Sequence, residues 1–288
     1  MKVKLLILIL LLCLTATACN PPRYEAQIAA TTAPVYEFTC AITSGTGLTV
    51  TRLVTENVSC LHDYSLNVQQ VKAAKAAKVI VLSGMGMEDF MADVLSDAPL
   101  VIDSSEGIDC LHHHGHEDHG HAHEDDPHIW LSPANAMAMA ANICAGLSAQ
   151  YPQYAEIFQN NLTDLLEQLR ILEQYGKDTL QDLSTRELIT FHDGFSYFAH
   201  SFDLTILEAV EEESGSEASA AELVSLIKLV QQHKLTALFT EANGSPSASG
   251  IIARETGAKI FTLDMAMSQR GYFEAMYHNI NTIKEAMK

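Results

Sequence analysis

The sequence predicts an α/β protein of two lobes, each a parallel-type sheet flanked by helices, with one long helix between them. Three observations carry this. Short apolar stretches alternate with helical ones from residue 33, the rhythm of βαβ units. An amphipathic run then follows Pro152 and meets no glycine or proline before Gly176. After it, the same alternation restarts at Arg186.

Taken in order, the chain opens on Lys2 and Lys4, an almost unbroken Leu/Ile run over Leu5–Leu14, and Thr15-Ala16-Thr17-Ala18 before Cys19. A basic start, a short apolar run and small residues describe an export signal, too short for a membrane span of about 20 residues. Cys19 stands where a bacterial lipobox places its lipidated cysteine, although Ala16 replaces the usual Leu, so plain secretion is the competing reading. Residues 1–18 are thus the signal and 19–32 a lipid-anchored tether. The first lobe is expected over 33–150. Ala33–Thr39 and Leu48–Val54 read as strands, Leu66–Ala77 as a helix and Val79–Leu82 as a buried strand. A glycine turn at Ser83–Gly86, a helix near Glu88–Ser96 and a strand at Leu100–Asp103 follow. Pro133 starts a helix to about Gln150.

The run after Pro152 has Ile157, Leu162, Leu165, Leu166, Leu169 and Leu172 at three- and four-residue steps. A helix of ~30 residues would span ~45 Å, more than a crossover within one lobe needs. Residues 151–184 therefore read as a linking spine. In the second lobe, 185–288, strands are expected at Leu188–Phe191, Leu204–Leu207, Ala237–Thr240 and Lys259–Leu263. Helices fit Ala220–Gln232, Ser247–Glu255 and Gly271–Met287, with an acidic loop over 211–219.

Eight of the thirteen histidines lie between Leu111 and Pro133. His112, His113, His114, His116, His119, His121 and His123 sit among acids in an aperiodic loop over 111–126, a composition that collects metal ions. His128 differs, being held in D-P-H-I-W-L-S-P beside the single tryptophan. Three more candidates stand at strand-to-loop junctions, where parallel sheets bind ligands: His62, His192 and Asp264. Asp193 is a candidate to orient the His192 ring, and Gly194 allows the turn after it. His62 and His128 come from the first lobe and His192 and Asp264 from the second. Together they would close a tetrahedral shell on zinc. His200, His233 and His278 fall on helices and read as surface or hydrogen-bonded residues.

The formal net charge is −19, and no basic stripe exists, which excludes a nucleic-acid partner. Export permits disulfides among Cys40, Cys60, Cys110 and Cys144, but four cysteines allow three pairings and nothing selects one. Cys60 reads as a disulfide partner or a buried apolar residue rather than a ligand.

The succession V-S-C-L-H-D-Y, the His/acid loop, D-P-H-I-W-L-S-P, F-H-D-G-F-S-Y-F and T-L-D-M resembles the zinc-binding lipoproteins of bacterial metal ABC transporters. They are the zinc branch of the metal-specific solute-binding proteins. The resemblance spans essentially the whole mature chain. It implies two lobes joined by a rigid helix with the metal between them, extracytoplasmic capture of zinc by a lipid-anchored protein, and delivery to a membrane permease. It assigns His62, His128 and His192 as ligands with Asp264 as the acidic fourth. Histidine at the third position favours zinc over manganese. Cys60-Leu61 stands where relatives carry Glu/Asp-Pro, which places more reliance on Asp264. Two other classes remain: a metal-dependent adhesin, and an exported zinc enzyme using His62, His128 and His192 with Glu241 or Asp264 as base.

Overall fold

The computed structural model describes residues 27–288 apart from 57, 59, 60, 62, 63, 112–125, 211–217, 242–246 and 269. The signal, Cys19, Cys60, His62, the seven loop histidines and most of the acidic stretch after Val210 lie outside the described residues. The first sheet is parallel and contains β1 (Ile28–Ala30), β2 (Val50–Arg52), β3 (Val79–Leu82) and β4 (Val101–Asp103), in the order β2-β1-β3-β4. Strand β1 starts within the stretch expected to be tether. Its three residues are fully buried and pair with Val50–Arg52 on one side and Val79–Val81 on the other. All four residues of β3 are buried, as a strand covered on both faces requires.

One element differs in kind from the sequence expectation. Ala33–Thr39, read as a strand from its Val, Thr and aromatic content, belongs to helix α1 (Ala33–Thr43). Pro34 lies in the first turn, where its missing N–H costs nothing, and Val35, Phe38, Thr39 and Ile42 bury one helical face. Helix α2 (Val68–Ala76) starts in a reciprocal cap between Asn67 and Gln70. The segment near Glu88 forms a 3-10 turn and the short α3 (Ala92–Leu95).

Helix α4 (Pro133–Gln150) begins where Ser132 Oγ accepts from the Asn135 amide, and it packs along α5 (Ala155–Thr179). The 25-residue α5 buries Phe158, Leu162, Leu165, Leu169 and Leu172. At one end Asn161 donates to the carbonyls of Ile42 and Ser44. At the other, Tyr175 donates to Asn281, and Gly176 receives the Phe202 ring.

The second sheet repeats the first. Strands β5 (Glu187–Thr190), β6 (Thr205–Ala209), β7 (Ala237–Glu241) and β8 (Lys259–Leu263) are parallel in the order β6-β5-β7-β8. Around them lie α6 (Ser196–Ser201), α7 (Ala220–His233), α8 (Ser247–Thr256) and α9 (Tyr272–Ala286). In both sheets the chain reverses direction beside its first strand, and the carboxyl ends at that switch point are where such sheets receive ligands. One apolar core runs from Ile28 through α5 to Met287, so the two halves share an interior.

Candidate metal centre

His128 precedes the 3-10 turn Ile129–Leu131 and is completely buried. Asp126 fixes it twice, with Oδ1 accepting from the His128 backbone amide at 2.9 Å and lying 2.9 Å from Nδ1. A carboxylate on Nδ1 selects the tautomer with its proton there and leaves the Nε2 lone pair available to a cation. That Nε2 is buried and has no hydrogen-bond partner among the described residues. Trp130 stands edge-on to the ring at 5.4 Å and donates from Nε1 to the Met265 carbonyl at 2.8 Å. The turn that holds His128 is thereby tied to the segment after β8.

His192 follows β5 and is almost fully buried. Its ring lies 5.2 Å from that of His128, at 84°. Glu241 Oε2, at the end of β7, is an acidic neighbour of Nδ1 at 3.8 Å. Gly194 is required by space: a Cβ there would lie 2.5 Å from Met265 Cε and 2.8 Å from the His192 ring.

Asp264, at the end of β8, is locked through its backbone. Its amide donates to Asn279 Oδ1 at 2.8 Å, and Asn279 Nδ2 donates to its carbonyl at 2.7 Å. Its carboxylate also has partners. Oδ1 accepts from the Ala266 amide, and Oδ2 accepts from the Ser268 hydroxyl at 3.0 Å and lies 3.3 Å from Arg270 Nε. Among the described residues, no three His, Cys, Asp or Glu side chains gather as a metal site.

The structure thus brings His128 and His192 together, with Asp264 at the end of β8, separated from β5 by β7 in the same sheet. Asp126, Ser268 and Arg270 were not singled out from the sequence. Asp126 was counted with the acids of the loop, although its two-residue spacing from His128 is the signal that it could orient the ring. His233 and His278 are hydrogen-bonded on helices as expected, to Glu187 and to the Thr262 carbonyl. No disulfide joins Cys40, Cys110 and Cys144 to one another.

Residues 28–286 match the family described as zinc-uptake complex component A, periplasmic. A putative metal-binding protein of Treponema pallidum is 30% identical over 242 residues, covering 78% of this chain and 76% of that protein. The zinc-binding lipoprotein AdcA of Streptococcus pneumoniae serotype 4 is 27% identical over 309 residues. That alignment takes in 99% of this chain but 61% of the longer relative. Among solved structures, ZnuA superposes with a TM-score of 0.81 at 30% identity, covering 92% of this chain and all of that one. The lipoprotein YcdH of Bacillus subtilis gives 0.76 at 25% identity, over 90% of this chain and 98% of that one.

Proposed function

The chain belongs to the periplasmic zinc-uptake component family, and we propose that it is an extracytoplasmic receptor that captures zinc and passes it to an ABC permease. The observation that carries this is the meeting of His128 and His192. Two imidazoles bound to one tetrahedral zinc at roughly 2.0–2.1 Å per bond hold their ring centroids about 5 Å apart, and these stand 5.2 Å apart. His62 and Asp264 complete the shell in this reading. A closed set of three imidazoles and a carboxylate has no position for a reacting water, so the protein is a receptor rather than an enzyme. Cys19 anchors it to the membrane, in keeping with the lipoprotein name of the pneumococcal relative.

Titration of the purified mature protein tests the reading. Imidazole binds metal only when unprotonated, and with an ordinary pKa of about 6.5 three histidines lose to protons below about pH 6. Zinc should bind tightly near pH 7 and far more weakly near pH 5, with little manganese bound at either. His128→Ala should lose more affinity than Asp264→Ala, because water can take the place of a carboxylate. Manganese binding as tight as zinc would overturn the zinc assignment.

A further inference from the structure

Arg270 stands where a cation competes for Asp264. Its Nε lies 3.3 Å from Asp264 Oδ2, and its Nη1 lies 3.9 Å from Glu274 Oε1 in the first turn of α9. The two carboxylates differ in setting, Asp264 being 8% exposed at the side chain and Glu274 71%. With Ala266 and Ser268 also donating to it, three of roughly four acceptor positions on the Asp264 carboxylate are in use. A divalent cation arriving at Oδ2 meets a guanidinium already seated there, and like charges repel.

We propose that Arg270 is a displaceable counter-ion that sets zinc affinity and release. It holds the Asp264 carboxylate until a divalent cation takes Oδ2, then moves to Glu274, and on its return helps expel the ion. The proposal rests on the reading of Asp264 as a zinc ligand. Arg270 is 40% exposed at the side chain, so the move needs no repacking of the core. Ser268 and the Ala266 amide keep the carboxylate oriented while the arginine is away.

The test is a double-mutant cycle on the mature protein, with zinc affinity measured by chelator competition and zinc release by stopped flow. Arg270→Gln should tighten zinc binding about tenfold, a modest loss of charge competition, with most of the gain in slower release. Arg270→Lys keeps the charge and should stay near wild type. Glu274→Gln removes the alternative partner and should weaken binding severalfold. In an Asp264→Asn background, Arg270→Gln should have no effect. If Asp264→Asn weakens zinc binding while Arg270→Gln leaves it unchanged or weaker, the counter-ion role is overturned and the ligand assignment stands. If Asp264→Asn itself leaves affinity intact, the ligand assignment fails, and the counter-ion role fails with it.

Discussion

An imidazole holds a metal well when its other nitrogen is fixed, and Asp126 does this for His128 through two contacts to one oxygen. Removing such a partner commonly costs 10–100-fold in metal affinity. Asp126→Ala should therefore weaken zinc binding by about that factor, and Asp126→Asn by less, as chelator competition would measure. Glu88 gives a second residue-scale prediction, on stability. Its carboxylate, 3% exposed, accepts from Thr31 and from the Ser83 and Gly84 amides. Burial nevertheless pushes its pKa from 4.5 up to about 7, and the Asp103 charge adds to the rise. Between those values the folded chain keeps a proton that the unfolded chain has released, so stability falls as pH rises and levels off above the folded pKa. The fall attributable to this group is on the order of 3 kcal/mol. Melting curves with a chelator present should drop in Tm from pH 5 to 7, and Glu88→Gln should flatten that slope. An unchanged slope in the variant would assign the pH dependence to other groups. Glu88 was legible only as the start of a helix, because a carboxylate's burial depends on three partners distant in sequence or supplied by the backbone. His192 and Asp264 could be singled out because strand ends mark themselves locally, and His128 because prolines bracket its turn beside the single tryptophan.

At the scale of elements, the second half was read almost to the residue. Strand β8 was expected over Lys259–Leu263 and occurs there, and in the first half α4 starts at Pro133 as expected. Long or strongly bounded segments carry their own period, whereas β1 has three residues and leaves no period to find. Helix α1 was missed for another reason: β-branched and aromatic residues favour strands, but its apolar positions recur at helical steps and the burial they achieve overrides propensity. Helix α5 joins the halves by admitting a side chain as well as by burying a stripe. A Cβ on Gly176 would lie 2.2 Å from Phe202 Cε1, a ring atom of a side chain only 3% exposed. Gly176→Ala gains about 1 kcal/mol of helix propensity but forces overpacking that costs about 1–3 kcal/mol. The substitution should therefore lower the Tm by a few degrees, and Phe202→Leu added to it should restore much of the loss. A Tm raised by Gly176→Ala alone would mean that the ring moves aside at little cost.

For the molecule as a whole, the segment after Asp264 is bound to the first half at several points. Trp130 reaches the Met265 carbonyl, Arg52 the Met267 carbonyl at 3.0 Å, and the Glu37 carboxylate accepts from the Tyr272 amide. Tyr272 returns a bond from its hydroxyl to the Trp130 carbonyl at 2.9 Å. The relation between the halves was legible only as a long helix, since contacts made by backbone carbonyls leave no trace in residue type. A further contact between the halves lies where the histidine stretch begins. Leu111, at the loop's start, donates to the Tyr197 hydroxyl of the second half and accepts from the Asp126 amide at its end. With Leu111 and Asp126 held there, shortening residues 112–125 should leave Asp126 and His128 in place. Their seven imidazoles lie in an aperiodic sequence among acids, a composition that collects metal ions without a repeated ligand spacing. They should bind additional zinc more weakly than the paired histidines, while keeping it at high effective concentration nearby. Replacing residues 112–124 with a short Gly/Ser link, and keeping Leu111, should abolish the weaker sites and leave one tight zinc site of nearly unchanged affinity per molecule. Calorimetric titration counts both classes directly. Loss of the tight site on deletion would mean that the loop supplies a ligand, and that the set His62, His128, His192 and Asp264 is wrong.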